Sequence, residues 1–107
     1  MAEQIINIRA VAWQEGEQWV VQGIEYDIVA HAPDVTALPK AFMTAVVENA
    51  AISAHLGRKP LEGIKAAPQK YRDLYERAET VLGTVHKPKP VSTLPTPNVN
   101  IRVSAHA

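Results

Sequence analysis

The feature that most restricts the fold of this chain is a run of 21 residues without glycine, residues 36–56 (TALPKAFMTAVVENAAISAHL). Its only proline, Pro39, lies near the start, where backbone amides have no helical acceptor in any case. The run therefore predicts one long α-helix. One stripe of this helix is apolar around a central asparagine: Leu38, Phe42, Ala45, Asn49, Ile52 and Leu56. The opposite side is also apolar: Met43, Val47, Ala50, Ala51 and Ala54. A helix that is apolar nearly all round is usually covered on both sides.

Three stretches before this helix alternate apolar and polar residues, which is the period of a half-buried strand. They lie at about residues 6–12, 18–22 and 26–31, and the polar sequence QEGE between the first two suits a hairpin turn. Trp13 and Trp19 flank this turn, so we expect them to pack in the core or against each other across the hairpin. The sequence predicts a three-stranded antiparallel sheet, with one face covered by the long helix.

After the helix, Gly57 is a typical left-handed C-cap, and Pro68 begins a second predicted helix that ends near Leu82 and is closed by Gly83. Four prolines between residues 84 and 97 then predict an extended arm without regular structure. Alternation over residues 99–103 predicts a short fourth strand. We accordingly divide the chain into an α+β domain at residues 1–83, a proline-rich linker at 84–97 and a C-terminal edge strand at 98–107.

The predicted fold is thus α+β, in the order β-β-β-α-α, with a fourth strand after the proline arm. A strand tethered in this way is stable only when it joins a sheet edge, either that of its own chain or that of a neighbour. Both pairings remain open. Because the helix that is apolar on both sides and the tethered strand both need partners, we expect a homodimer or higher oligomer, with exchange of this strand as one route. We predict five apolar residues as oligomer or partner contacts: Met43, Val47, Val99, Ile101 and Val103.

The charges of the chain balance to zero but are unevenly distributed. Residues 1–56 hold two cations against seven acids, and residues 57–107 hold nine cations against four acids. One interpretation is that folding mixes these charges into a neutral surface. The other is a basic face that binds nucleic acid or an acidic partner. Its predicted members are Arg58, Lys59, Lys65 and Lys70.

Several classes of chemistry find no support in the sequence. There are no cysteines, so disulfides and thiolate sites are excluded. No two of the four histidines have the i,i+4 spacing of a helical zinc site, and no glycine-rich phosphate loop is present. We therefore expect no enzyme activity, no metal and no cofactor. The start of the sequence, MAEQIINIRA, lacks the pattern of a secretory signal, and no apolar run is long enough for a membrane span, so we expect a cytoplasmic protein.

The segment AVAWQEGEQWVVQGIEYDIVAHAPDVTALPKAFMTAVVENA, within about residues 5–56, resembles the HicB family of antitoxins. The family shows a strand, an acidic or glycine-bearing turn and a strand that begins with an aromatic residue and valine. A third strand and a threonine then lead into an alanine-rich helix. Matching positions here are Glu15-Gly16-Glu17 for the turn, Trp19-Val20-Val21 for the second strand, Thr36 for the threonine, and Leu38, Ala41 and Phe42 for the helix.

The chain departs from the family in three places. It has residues 23–27 (GIEYD) where the family has a proline segment and a glycine-cysteine pair, and Pro39-Lys40 where the family helix begins with two acids. Its proline arm and predicted final strand also do not resemble the DNA-binding tail that many members carry. The resemblance implies a partly open, degenerate ribonuclease-H-like fold with its helices on one side of the sheet. It also implies a non-enzymatic interaction protein that associates through sheet edges and binds a small protein toxin or RNA. The alternative function is an orphan nucleic-acid-binding or scaffold protein that uses the basic second half.

Overall fold

A computed structural model describes residues 5–78, 80–86 and 96–104. The described elements are β1 (Ile5–Glu15), β2 (Gln18–Gly23), β3 (Val29–Ala32), a 3₁₀ turn (Val35–Ala37), α1 (Leu38–His55), α2 (Gln69–Arg77), β4 (Thr80–His86) and β5 (Thr96–Val103). The five strands form one sheet in the order β3-β2-β1-β5-β4. The β1–β5 pair is parallel and the other three pairs are antiparallel. The predicted α+β class and the β1-β2-β3-α1 order are confirmed.

The β1–β2 hairpin fixes which side chains share a face of the sheet. Its turn has two central residues, and the first, Gly16, has φ +65°, a conformation that favours glycine at this position of a tight hairpin. The resulting register pairs Trp13 with Val20 and Gln14 with Trp19. Trp13 and Trp19 therefore lie on opposite faces of the sheet. Of the two expected placements, contact across the hairpin is wrong and packing in the core is confirmed, since each tryptophan packs with the apolar cluster on its own face.

Helix α1 covers one face of the sheet and forms the main core with it. Ile8, Ala10 and Ala12 of β1 meet Val99 and Ile101 of β5 on this face. The helix residues that become buried are Leu38, Phe42, Met43, Val46, Ala50 and Ser53. The predicted apolar stripe is wrong at its C-terminal end, because Ile52 and Leu56 are 58% and 60% exposed.

Helix α2 covers part of the other face, with Val11, Trp13, Val20 and Ile24 beneath Tyr75. The two helices thus lie on opposite faces of the sheet, so the expectation that they lie side by side on one face is wrong. The helix is also shorter than predicted. It ends at Arg77 because Ala78 turns to an extended conformation, with ψ 128°.

The chain after α2 forms two strands where the sequence predicted one. Residues 80–86, expected to end a helix and begin the proline linker, form β4, which crosses the predicted domain boundary at residue 83. Residues 87–95 of the predicted linker lie outside the described residues. Strand β5 inserts between β1 and β4 of its own chain, so it is an interior strand rather than the predicted edge strand. The pairing left open by the sequence is, in this structure, made within the chain.

A tight turn after α1 places one leucine under the end of the helix. Leu61 is only 1% exposed and packs into the main core, although its φ is +66°. Its backbone N–H donates a hydrogen bond of 3.2 Å to the Ser53 hydroxyl, which donates in turn to the Asn49 carbonyl at 3.0 Å. A left-handed leucine costs about 1–2 kcal/mol. Burial of its side chain and the bond to Ser53 hold it there.

Candidate partner-binding site

Strand β3 forms one edge of the sheet and offers unpaired backbone groups. The Gly23 N–H donates to the Ile28 carbonyl at 2.8 Å, so that carbonyl points towards β2. Backbone groups alternate in direction along an antiparallel strand. The N–H and C=O groups of Val29 and His31 therefore point away from β2. Among the described residues none of these four groups has a backbone partner.

A groove of about 450 Å³ runs beside this edge, between β3 and the first turns of α1. Its walls are mostly small side chains, which leave the space open. Ala30 and Ala32 line it from the sheet, and Ala37 and Ala41 line it from the helical side. Its remaining lining residues are His31, Pro33, Lys40 and Thr44. We refer to this space as the alanine groove.

The rim of the alanine groove favours negative charge. Lys40 is exposed on the rim, and the positive end of the α1 dipole lies beside it. The nearby acid, Asp34, accepts hydrogen bonds from the Thr36 hydroxyl and from the Ala37 N–H, the latter at 3.0 Å. These two bonds hold the pKa of Asp34 below its usual value. Asp34 is thus an ionised cap of the turn before α1.

A second concavity, of about 380 Å³, lies on the opposite face of the sheet between α2 and β1. The rings of Trp13 and Tyr71 stack in it, with centroids 5.6 Å apart and planes inclined by 13°. The Lys70 ammonium lies 4.9 Å from the centroid of Tyr71. Leu74, Arg77 and Glu15 complete the lining. We refer to this space as the aromatic cleft.

Two arginines near the aromatic cleft hold α2 to the sheet. The guanidinium carbons of Arg102 and Arg9 lie 4.3 Å and 5.6 Å from the centroid of Tyr75. Arg102 also donates to the Tyr75 carbonyl at 3.1 Å. The backbone N–H and the Nε of Arg9 both donate to the carboxylate of Glu25, and the side-chain bond raises the pKa of Arg9. Both guanidinium groups are therefore occupied within the fold.

The predicted partner contacts lie mostly inside the chain. Met43, Val99 and Ile101 are 8%, 1% and 0% exposed and belong to the main core, while Val47 and Val103 are half-buried against it. In this structure the surfaces expected to meet another molecule are covered by α1 packing on the sheet. Partner contact by Val99 and Ile101 would require β5 to leave its place.

The predicted basic patch is dispersed over three segments. Arg58 and Lys59 are exposed in the turn after α1, and Lys65 is exposed in the following loop. Lys70 lies on α2 and lines the aromatic cleft instead. The cations that the structure brings together there are Lys70 and Arg77, and the second of these was not predicted.

Sequence reasoning also missed the alanine groove. Alternation over residues 26–31 places Ala30 among the apolar positions of the third predicted strand, and Ala41 was assigned to the long helix. Nothing in the sequence shows that these short side chains face one another across an open edge. Short strands are typical of sheet edges, but the sequence predicts a third strand over about residues 26–31, so the four-residue length of β3 was not visible in it.

The described residues contain no group of three or more histidine or acidic side chains placed to hold a metal ion. None of the helices in the described ranges has the length and apolar content needed to cross a bilayer. Comparison of the chain with protein-family models, with curated proteins and with solved structures gives no match.

Proposed function

We propose that this chain is a non-enzymatic interaction protein, of the HicB-like antitoxin kind, which binds an extended segment of a small protein partner along β3. The observation that carries the proposal is the open β3 edge beside the alanine groove. Unpaired backbone groups supply affinity for any added strand, and a neighbouring pocket selects its side chains. The β1-β2-β3-α1 order supports the link to this family, whereas α2 on the opposite face departs from what the resemblance implies.

Strand addition at β3 uses the backbone groups of Val29 and His31. Each residue offers one donor and one acceptor, so the incoming segment gains up to four hydrogen bonds, each worth about 0.5–1.5 kcal/mol net. Alternate side chains of the incoming strand then point towards α1, into the space above Ala30 and Ala32. Burying one large apolar side chain there contributes about 1.5–3 kcal/mol.

The shape and charge of the groove favour a foreign segment over a second copy of this chain. Two copies paired through β3 would place one alanine-lined wall against another and leave the space unfilled. They would also bring two Lys40 side chains to the same interface. A segment with a leucine-sized residue and a neighbouring acid fills the groove and neutralises Lys40. The expected partner segment is therefore extended, apolar at alternate positions and acidic.

Hydrogen exchange and calorimetry with synthetic peptides test this proposal. One eight-residue peptide alternates threonine and leucine and carries a single glutamate; a matched peptide carries lysine in place of glutamate. We expect the acidic peptide to bind more tightly and to slow amide exchange at Val29 and His31. His31→Pro removes an outward N–H without touching the β2 ladder, and should abolish binding. Ala41→Leu should weaken binding by filling the groove.

Charge reversal supplies the matched control. Lys40→Glu should reverse the preference between the two peptides, whereas Lys65→Glu, the same change on a loop away from the groove, should leave it unchanged. Binding that survives His31→Pro would show that the β3 edge is not the site. A dimer of the free protein that dissociates in His31→Pro, measured by light scattering, would instead assign the edge to the predicted self-association.

A further inference from the structure

We propose that the aromatic cleft is a binding site for single-stranded nucleic acid, which places one base against Tyr71 and the adjoining phosphates at Lys70 and Arg77. The site lies on the face of the sheet opposite α1, away from the alanine groove. It is therefore independent of the partner-strand site. Its lining contains an ordered aromatic ring, two cations without an ion pair in the described part of the chain and one exposed carboxylate. In a nucleotide, the base can stack on the ring, the phosphates can bind the cations, and an exocyclic amino group can donate to the carboxylate.

The aromatic surface is already ordered for stacking. Tyr71 is half-buried and stacks on Trp13, which is only 7% exposed and belongs to the core under α2. A ring held in this way loses little conformational freedom when a flat ligand contacts it. Lys70 now lies over the Tyr71 ring, and its flexible side chain can move to a phosphate when a base takes its place. Stacking of this kind accepts any base.

The two cations of the cleft differ from the other basic residues on this face. Arg9 is bound by Glu25 and lies 3.6 Å from Glu76, and Arg102 bonds to the backbone of Tyr75. Lys70 and Arg77 form no ion pair with any described residue. They lie seven positions apart on α2, which is about 10.5 Å along the helix axis, and both line the cleft together with Tyr71. A backbone that follows α2 meets both charges.

The carboxylate of Glu15 gives the cleft a preference for certain nucleobases. A carboxylate accepts hydrogen bonds from the exocyclic amino group of cytosine or adenine but finds no such donor at the corresponding position of uracil. Its charge also opposes the phosphate backbone, so a strand must place a base, and not a phosphate, beside it. The cleft therefore favours cytosine and adenine over uracil.

Fluorescence anisotropy with the full chain and labelled RNA octamers tests this site. At 20 mM salt we expect oligo-C and oligo-A to bind with Kd of the order of 10⁻⁵–10⁻⁴ M, and oligo-U more weakly. Two phosphate contacts on a single strand imply a logarithmic salt slope of about −1.4, so affinity should fall about 25-fold between 20 and 200 mM salt. The double variant K70Q/R77Q should lose most of this dependence. Tyr71→Leu should weaken binding about 5- to 150-fold.

Two further variants separate this site from diffuse charge attraction. Arg72→Gln removes one cation from the same helix outside the cleft and should change Kd less than twofold. Glu15→Gln should remove the preference over oligo-U. The proposal fails if the wild type shows no binding at 20 mM salt, or if Arg72→Gln weakens binding as much as K70Q/R77Q does. Competition by free CMP as effective as the octamer would assign the cleft to free nucleotides and overturn the single-strand assignment. Because Lys70 and Arg77 are exposed, these outcomes remain readable even if Tyr71→Leu unfolds.

Discussion

Two opposing contributions to stability meet at Leu61: burial of its side chain stabilises the fold, and its positive φ strains the backbone. Replacing Leu61 by alanine and by glycine separates them. Leu61 is fully buried, so Leu61→Ala should lower the free energy of unfolding by about 2.7–5.0 kcal/mol through lost burial and the cavity left behind. At a buried position, replacing alanine by glycine normally lowers the free energy of unfolding further. The lost methyl group contributes about 0.8 kcal/mol, and the added freedom of the unfolded chain about 0.5–1 kcal/mol.

At this position the backbone changes the balance. With φ +66°, leucine and alanine both carry a strain of about 1–2 kcal/mol that glycine does not. The relief of this strain offsets the penalty of about 1.3–1.8 kcal/mol that glycine otherwise carries relative to alanine. Leu61→Gly and Leu61→Ala should therefore differ from each other by less than about 0.8 kcal/mol, in either direction. Ile28 provides the control, because it is buried outside helices and strands and its φ is not positive. There, glycine should be less stable than alanine by about 1.3–1.8 kcal/mol.

Urea denaturation of the four variants, followed by circular dichroism, measures both differences. The comparison requires equal m-values, so that a shift in midpoint reports stability alone. For a domain of this size each kcal/mol also lowers Tm by about 4–8 °C, which gives a second readout. If the glycine penalty at Leu61 equals that at Ile28, Leu61 is not strained, and the account of this turn is wrong.

Three further changes test other parts of the fold. Gly23→Ala places a Cβ 2.7 Å from the Tyr26 carbonyl and 3.0 Å from the Phe42 ring, so urea unfolding should show a loss of about 2–3 kcal/mol; a neutral effect would contradict this close approach. Arg102→Met removes the contact with the Tyr75 ring and the bond to its carbonyl, and should cost about 1–3 kcal/mol in the same assay, against less than about 0.5 for Arg72→Met. Folding lowers the pKa of Asp34 below its ordinary value of 3.8. The ionised Asp34 should therefore stabilise the fold fully above pH 3.8, and this stabilisation should be lost as the pH falls through the lower pKa of the folded state. The Tm difference between wild type and Asp34→Asn should accordingly change only below about pH 4, and a change confined to higher pH would refute the assignment.

The sequence identified the elements whose periodicity is regular. Alternation around Ile8 and Val21 predicted β1 and β2, and the uninterrupted apolar run predicted α1. It failed for β4, where the pairing with β5 shifts between Val81 and Gly83. An irregularity of this kind interrupts the period of two, and Gly83 then looks like the end of a helix. The local pattern contained no other signal that a strand begins at Thr80.

The contacts between elements were harder to predict than the elements themselves. Which edge β5 joins depends on long-range pairing, and the alternation of Val99 and Ile101 is the same for any edge. The i,i+4 spacing of charged residues on α2 predicts two ion pairs, Arg72 with Glu76 and Asp73 with Arg77. In the structure Glu76 lies 3.6 Å from Arg9, because the sheet supplies a competing cation. Asp73 instead accepts a hydrogen bond from Gln69, one turn earlier on the same helix. Neither predicted pair forms among the described residues, which leaves Arg77 to the aromatic cleft.

The parallel contact between β1 and β5 also bears on how this protein folds during its synthesis. Asn7 and Asn98 touch at 3.0 Å although 91 positions separate them in the chain. The edge of β1 that pairs with β5 therefore has unpaired backbone groups until the ribosome has synthesised almost all of the residues between the two strands. Contacts this distant in sequence slow folding and prolong the exposure of aggregation-prone edges. We expect nascent chains stalled before Thr96 to depend on chaperones, and full-length chains to be released from them once β5 has been made.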